Sequence, residues 1–132
     1  MRLRDRILWF AVAGVAGFAA DAGILTLLVR SGLDARPARL ASFLAALTVT
    51  WLINRSQTFG DRAGAPALGE FLRYALASSI AGLINLGAFM LLVSASRFFA
   101  AWPVLAVAIA TGLSMAINFW AYLKVVFLRR RR

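Results

Sequence analysis

The sequence contains no cysteine and no histidine. Disulfides, thiolate chemistry and histidine-ligated metals are thereby excluded, and without cysteine nothing in the chain reports the redox compartment. Acids are scarce too: five Asp and Glu stand against 15 Lys and Arg, a formal charge of +10. That balance could suit nucleic acid, but the cations lie mainly outside the long apolar runs. They read as topology signals and partners for phosphate, with no nucleic acid expected. No nucleophile has a base to activate it and no glycine-rich phosphate loop occurs, so the expectation is a protein with neither covalent chemistry nor cofactor nor metal.

What the chain has in abundance is apolar surface. Of its 132 residues 62% are hydrophobic and the mean hydropathy is +0.81, whereas soluble domains are nearer about half apolar. An integral membrane protein follows, and an all-α one, because open sheet edges cannot face lipid. Crossing a hydrocarbon core of about 30 Å takes about 20 helical residues. Four transmembrane helices are expected, at about 7–29, 37–59, 71–93 and 101–128, with Pro37 and Pro103 each suited to a first turn. The core of the second is short, so Arg39 and Arg55 must snorkel to the two interfaces. The basic start Arg2, Arg4, Arg6 resembles a signal peptide, but Ile7 to Val29 exceeds a signal core of about 7–15 residues.

The chain also repeats itself. A shift of sixty-four residues sets Phe10 on Tyr74, Asp21 on Asn85, Gly23 on Gly87 and Ile53-Asn54 on Ile117-Asn118, without a gap. Two tandem two-helix repeats, at about 7–59 and 71–128, are expected to lie in parallel orientation. The Gly, Ala and Pro-rich stretch from Gly60 to Gly69 divides them. Eleven cations (Arg2, Arg4, Arg6, Arg55, Arg62, Arg73, Lys124 and Arg129 to Arg132) fall on one side, against Arg30, Arg36, Arg39 and Arg97 on the other. The positive-inside rule then puts both termini in the cytoplasm, with Arg129 to Arg132 also touching anionic lipid.

Inside the spans a few polar residues stand out. Asp21 is the only acid within a span, and it shares a helix face with Gly14 and Gly17. The matching face of the second repeat reads Ser78, Ala81, Asn85, while the second and fourth spans offer Thr50 with Asn54 and Thr111, Ser114 with Asn118. An intramembrane acid points to function. The plainer reading is that a protonated Asp21 bonds to Asn85 or another helix and holds the bundle together, that Asn54 and Asn118 are helix-end or interhelical hydrogen bonders, and that small-residue faces serve packing.

The ends of the repeats carry a recognisable signature. The first closes with Asn54-Arg55-Ser56-Gln57-Thr58-Phe59, the second with Asn118-Phe119-Trp120 and then Lys124-Val125-Val126-Phe127, and Glu70-Phe71-Leu72-Arg73-Tyr74 opens the segment between them. With four spans and the Gly-rich first helix bearing Asp21, the chain resembles the GtrA-like family of small membrane proteins. It departs in two places. An aromatic often follows the Arg of the first closing motif, where this chain has Ser56-Gln57-Thr58, and nine residues separate Asn118 from Phe127 against five from Asn54 to Phe59.

The resemblance implies a role in cell-surface polysaccharide synthesis at the plasma (inner) membrane: moving a polyprenyl-phosphate-linked sugar between leaflets, or partnering the membrane glycosyltransferase that makes or uses it. The residues suit that role. Arg55, Arg73 and Lys124 would hold the phosphate on the cytoplasmic side and Arg36 and Arg39 would receive it on the other. Asp21, Asn54, Asn85 and Asn118 would offer polar partners to the head group in between. A second copy of the chain is expected to complete a sugar-sized path. The alternatives are a non-transporting anchor that recruits a glycosyltransferase and a small proton-coupled multidrug exporter; against the exporter, Asp21 lies toward the outer end of its helix.

Overall fold

A computed structural model describes residues 1–62 and 66–127. Among these the protein is all-helical, in the order α1 (Leu3–Arg30), α2 (Ala35–Ile53), a π-helical turn π1 (Asn54–Thr58), α3 (Ala67–Ala95), α4 (Arg97–Ala101), α5 (Pro103–Ala121) and a second π turn π2 (Tyr122–Val126). Three helical stretches are long and apolar enough to cross a membrane: Leu3–Arg30, Ala67–Ala95 and Pro103–Val126. The protein is thus a multi-pass membrane protein. Helix α2 falls outside that set because Arg36, Pro37 and Arg39 crowd its start.

Helix boundaries follow hydrogen bonding rather than hydropathy, and this shifts several expected ends. Helix α1 begins at Leu3 instead of Ile7, since Arg4, Asp5 and Arg6 continue the helix beyond its apolar part. Its far end closes on Gly32, whose φ of 94° lets the Leu33 N–H reach back to the Leu28 carbonyl. Helix α2 starts at an Asp34 cap, whose side chain accepts from the Arg36 N–H at 2.9 Å. Residues 67–69, expected in the dividing loop, form the first turn of α3, and the middle of that loop, 63–65, lies outside the described residues. The expected fourth helix breaks at Trp102: α4 is a separate short helix, and Pro103 opens α5 at its first position. The Arg129 to Arg132 run lies outside the described residues.

The chain divides into two compact units. Of the described residues, 1–62, Pro66 and Phe127 fall in the first and Ala67–Val126 form the second. In the first unit α1 packs along α2 and π1. Their contact is lined by Ala13, Gly17, Ala38 and Ser42, all buried. In the second, α3 packs along α5 and π2, with Ala81, Ala106 and Ala110 fully buried. Away from the buried rings Phe59, Tyr74, Tyr122 and Phe127 at the helix ends, mostly small side chains thus lie at the helix contacts while large apolar ones such as Phe18, Leu83 and Val104 face outward, each more than 70% exposed. That arrangement is inverted relative to a water-soluble core and is what a lipid solvent selects, because small residues let helices approach closely.

Candidate functional site

The first unit holds its polar groups at two levels. Near the Arg30 end of α1, Arg39 Nη1 donates to both carboxylate oxygens of Asp21. Ser42, one turn further along α2, donates to Asp21 Oδ1 at 2.7 Å. The Asp21 side chain is 21% exposed and that of Arg39 56%. Arg39 and Ser42, three apart, share one face of α2, and Asp21 meets that face. Asp21 therefore bonds to another helix, but as the ion-pair partner of Arg39, with Ser42 beside it, rather than as a protonated acid.

At the opposite end of this unit Arg6 is buried. It donates to the Thr58 carbonyl at 3.1 Å and to Asp61 Oδ2 at 2.5 Å, and its guanidinium carbon lies 6.0 Å from the centre of the Phe59 ring. The hydrogen bond from Arg6 holds the Asp61 carboxyl below the usual carboxylate range, overcoming the opposing effect of partial burial. Phe59 in turn stacks on Phe127 with ring centres 4.8 Å apart, so the two closing phenylalanines meet within this unit. Asn54, buried, opens π1 and its carbonyl accepts the Phe59 N–H at 2.8 Å. Arg55, half-buried on π1, sets its guanidinium 5.3 Å from the Trp51 ring centre. Within the unit, then, Asp21 and Arg39 come together, while Asn54 and Arg55 sit with the other end of the hairpin.

The second unit has its own polar level. Asn85 Nδ2 donates to Ser114 Oγ at 3.2 Å and to Thr111 Oγ1 at 3.3 Å, both on α5. These are the polar positions expected on the fourth span, and they supply Asn85 with partners inside its own unit. Toward the Ala67 end, Tyr74 stacks on Tyr122 with ring centres 4.2 Å apart. Ser78 donates to the Tyr74 carbonyl at 2.8 Å, so the 2.5 Å bond between Ser78 Oγ and Tyr122 is one in which the phenol donates. Arg73, half-buried beside Tyr74, and Lys124, exposed on π2, belong to this end. Asn118 is half-buried one turn before π2, and its side-chain oxygen is enclosed without a hydrogen-bond partner among the described residues.

Two features escaped the sequence reading. One is the pair of π turns, each leading directly into a closing phenylalanine, Phe59 or Phe127. They account for the stretched second motif: π1 starts at Asn54, whereas π2 starts at Tyr122, one α-helical turn beyond Asn118. The other is the pairing of Arg39 and Ser42 with Asp21. The signal available was the i, i+3 spacing of a cation and a hydroxyl on the helix that follows the only acid within an expected span.

The arrangement offers cations, hydroxyls and amides in a membrane-embedded protein, the chemistry that suits an anionic head group rich in hydroxyls. No curated protein matches the chain. The family model of the GtrA/DPMS transmembrane domain matches residues 9–127. With nearly its whole length covered, the chain belongs to the GtrA/DPMS transmembrane-domain family, membrane proteins of lipid-linked sugar and polysaccharide pathways.

Proposed function

We propose that this protein is a translocase, or a facilitator of translocation, for polyprenyl-phosphate-linked sugars in cell-surface polysaccharide synthesis. It performs no covalent chemistry; a membrane glycosyltransferase supplies the substrate, and a second copy of the chain completes the path. It resides in the plasma (inner) membrane with both termini in the cytoplasm. The observation that carries the reading is the Asp21–Arg39–Ser42 cluster. Unlike Arg6–Asp61 at the hairpin's other end, this charged pair involves an acid well inside α1, where a charge is costly in a bilayer and marks the handling of an ion. Arg39 uses one nitrogen on Asp21, and its remaining donors have no partner among the described residues. A phosphate can take that free edge in a bidentate grip.

Two further observations support the reading. Arg6 reaches Thr58 and Asp61, more than fifty positions away. Helix α2 with π1 therefore returns alongside the whole of α1, which favours α2 as a fourth span despite its cationic start. Each expected repeat also has a final helix that ends in a π turn followed by a phenylalanine, Phe59 or Phe127, in keeping with two tandem repeats.

The test is transport of labelled polyprenyl phosphoglucose in reconstituted vesicles, read as its appearance in the outer leaflet. Arg39→Gln should slow appearance about tenfold or more, since a hydrogen bond to a charged group contributes roughly 1.5–3 kcal/mol. Arg55→Gln combined with Lys124→Gln should weaken loading from the cytoplasmic face. Unchanged rates in both variants, with a glycosyltransferase still co-purifying, would favour the anchor instead.

A further inference from the structure

The Asp21–Arg39 pair poses a problem of charge that the lipid-phosphate reading must solve. At rest one carboxylate and one guanidinium neutralise each other. A phosphodiester arriving at Arg39 adds a negative charge, leaving two anions to share one cation. Away from bulk water an anion without its own counter-charge is unfavourable enough that a carboxyl takes a proton instead.

We propose that a phosphate head group displaces the Asp21 carboxylate from Arg39, and that Asp21 takes up one proton from water in the exchange. The proposal rests on the reading of Arg39 as a phosphate-binding residue. Ser42 is what makes both states of Asp21 acceptable. Its side chain is fully buried, and its Oγ lies 2.7 Å from Asp21 Oδ1 and 3.1 Å from the Arg39 carbonyl oxygen. A hydroxyl has one proton and can serve one of those acceptors at a time. With Asp21 ionised, Ser42 donates to the carboxylate. With Asp21 protonated, Ser42 turns its proton to the Arg39 carbonyl and accepts the new carboxyl O–H on its lone pair. Neither state leaves a buried polar group unpaired, and no helix has to move. The guanidinium is free to swing, being more than half exposed, while Ser42 keeps the neutral acid in place.

No other charged group competes for the role. Of the charged side chains on the elements packed against α1, namely Arg36 and Arg39 on α2 and Arg55 on π1, Arg39 alone bonds to Asp21. On α1 itself Arg4, Asp5 and Arg6 lie more than three turns away and Arg30 lies more than two turns away. Asp34 is engaged as the cap of α2. The sequence offers an internal comparison: the shift that aligns the chain with itself sets a neutral amide, Asn85, on the position of Asp21, and Asn85 bonds to hydroxyls.

The experiment uses the full chain in phosphatidylcholine vesicles, with labelled polyprenyl phosphoglucose as the probe, since its phosphodiester keeps a single charge throughout the range tested. Between about pH 5 and about pH 8, binding should weaken with rising pH by up to about tenfold per unit. Calorimetry in two buffers of different ionisation enthalpy should report uptake of about one proton per probe bound, a measurement that needs no variant. Asp21→Asn should bind the probe equally at every pH, with no proton taken up. Binding that is independent of pH in the unmodified protein yet lost in Arg39→Gln would overturn the exchange and leave the phosphate reading standing. An Asp21→Asn variant that keeps the full pH dependence would also overturn it. Absence of binding at every pH, in protein that keeps its helical circular dichroism, would reject both.

Discussion

Arg6 illustrates how this protein keeps a cation away from lipid. The side chain is buried, and it is satisfied by one carbonyl, one carboxylate and the face of one ring. Its partner Asp61 lies in the turn after π1, outside the spans, with a carboxyl held below the usual carboxylate range. The sign of the pH effect follows. A depressed carboxyl contributes stability that is fully present above the unfolded value of about 3.9 and is lost as pH falls through the folded value. Because the Asp61 side chain is half exposed, the contribution should be no more than about 1 kcal/mol. Thermal unfolding in detergent should show the unmodified protein losing that increment only below about pH 4, whereas Asp61→Asn lacks it at neutral pH and shows a flatter acid limb. At this scale the sequence was partly legible. Asp21 stood out as the only acid in an expected span, but its partner did not, because the i, i+3 spacing of Arg39 and Ser42 marks a face of α2 and not the depth at which α1 meets it.

Gly14 and Gly17 read alike in the sequence, as small residues on one face of the first helix, yet their surroundings differ. A Cβ on Gly14 would meet nothing within 4 Å, whereas one on Gly17 would collide with Thr50 Cγ2 and approach the Ala46 carbonyl at 3.6 Å. Thr50 cannot easily turn aside, because its hydroxyl donates to the Leu47 carbonyl at 3.0 Å and its branched side chain is stiff. Gly17→Ala should therefore destabilise the α1–α2 hairpin by about 1–3 kcal/mol. Gly14→Ala should be neutral or stabilising by up to about 1 kcal/mol through helix propensity. Thr50→Ser, which removes the obstructing methyl group, should restore much of the loss in Gly17→Ala; a rescue that fails in thermal unfolding would place the close contact elsewhere. The helices were legible as elements because apolar runs of sufficient length, bounded by Pro and Gly, admit few other structures in lipid. The π turns were not, since an i→i+5 turn has no residue signature; each leads directly into one of two phenylalanines, Phe59 and Phe127, whose rings stack.

For the molecule as a whole the decisive question is whether α2 crosses the bilayer. Hydropathy alone assigns three crossing helices, and an odd number would put the two termini on opposite sides. The hairpin geometry and the cation distribution argue for four. Helix α1 is long enough to span, and Arg6 meets Asp61, so the chain has returned to its starting level by the turn after π1. Fifteen cations split eleven to four if four spans are drawn, the asymmetry that fixes orientation. The absence of cysteine makes the test direct, because every introduced thiol is the only one. In intact cells Ser31→Cys and Ser96→Cys should react with a membrane-impermeant maleimide, whereas Arg2→Cys and Gln57→Cys should react only after permeabilisation. Gln57 is the informative position, being exposed on π1 at the far end of α2. If it labels from outside together with Ser31, then α2 lies along one face of the membrane, the Asp21–Arg39 pair serves no path between leaflets, and the translocation reading fails with the topology it requires.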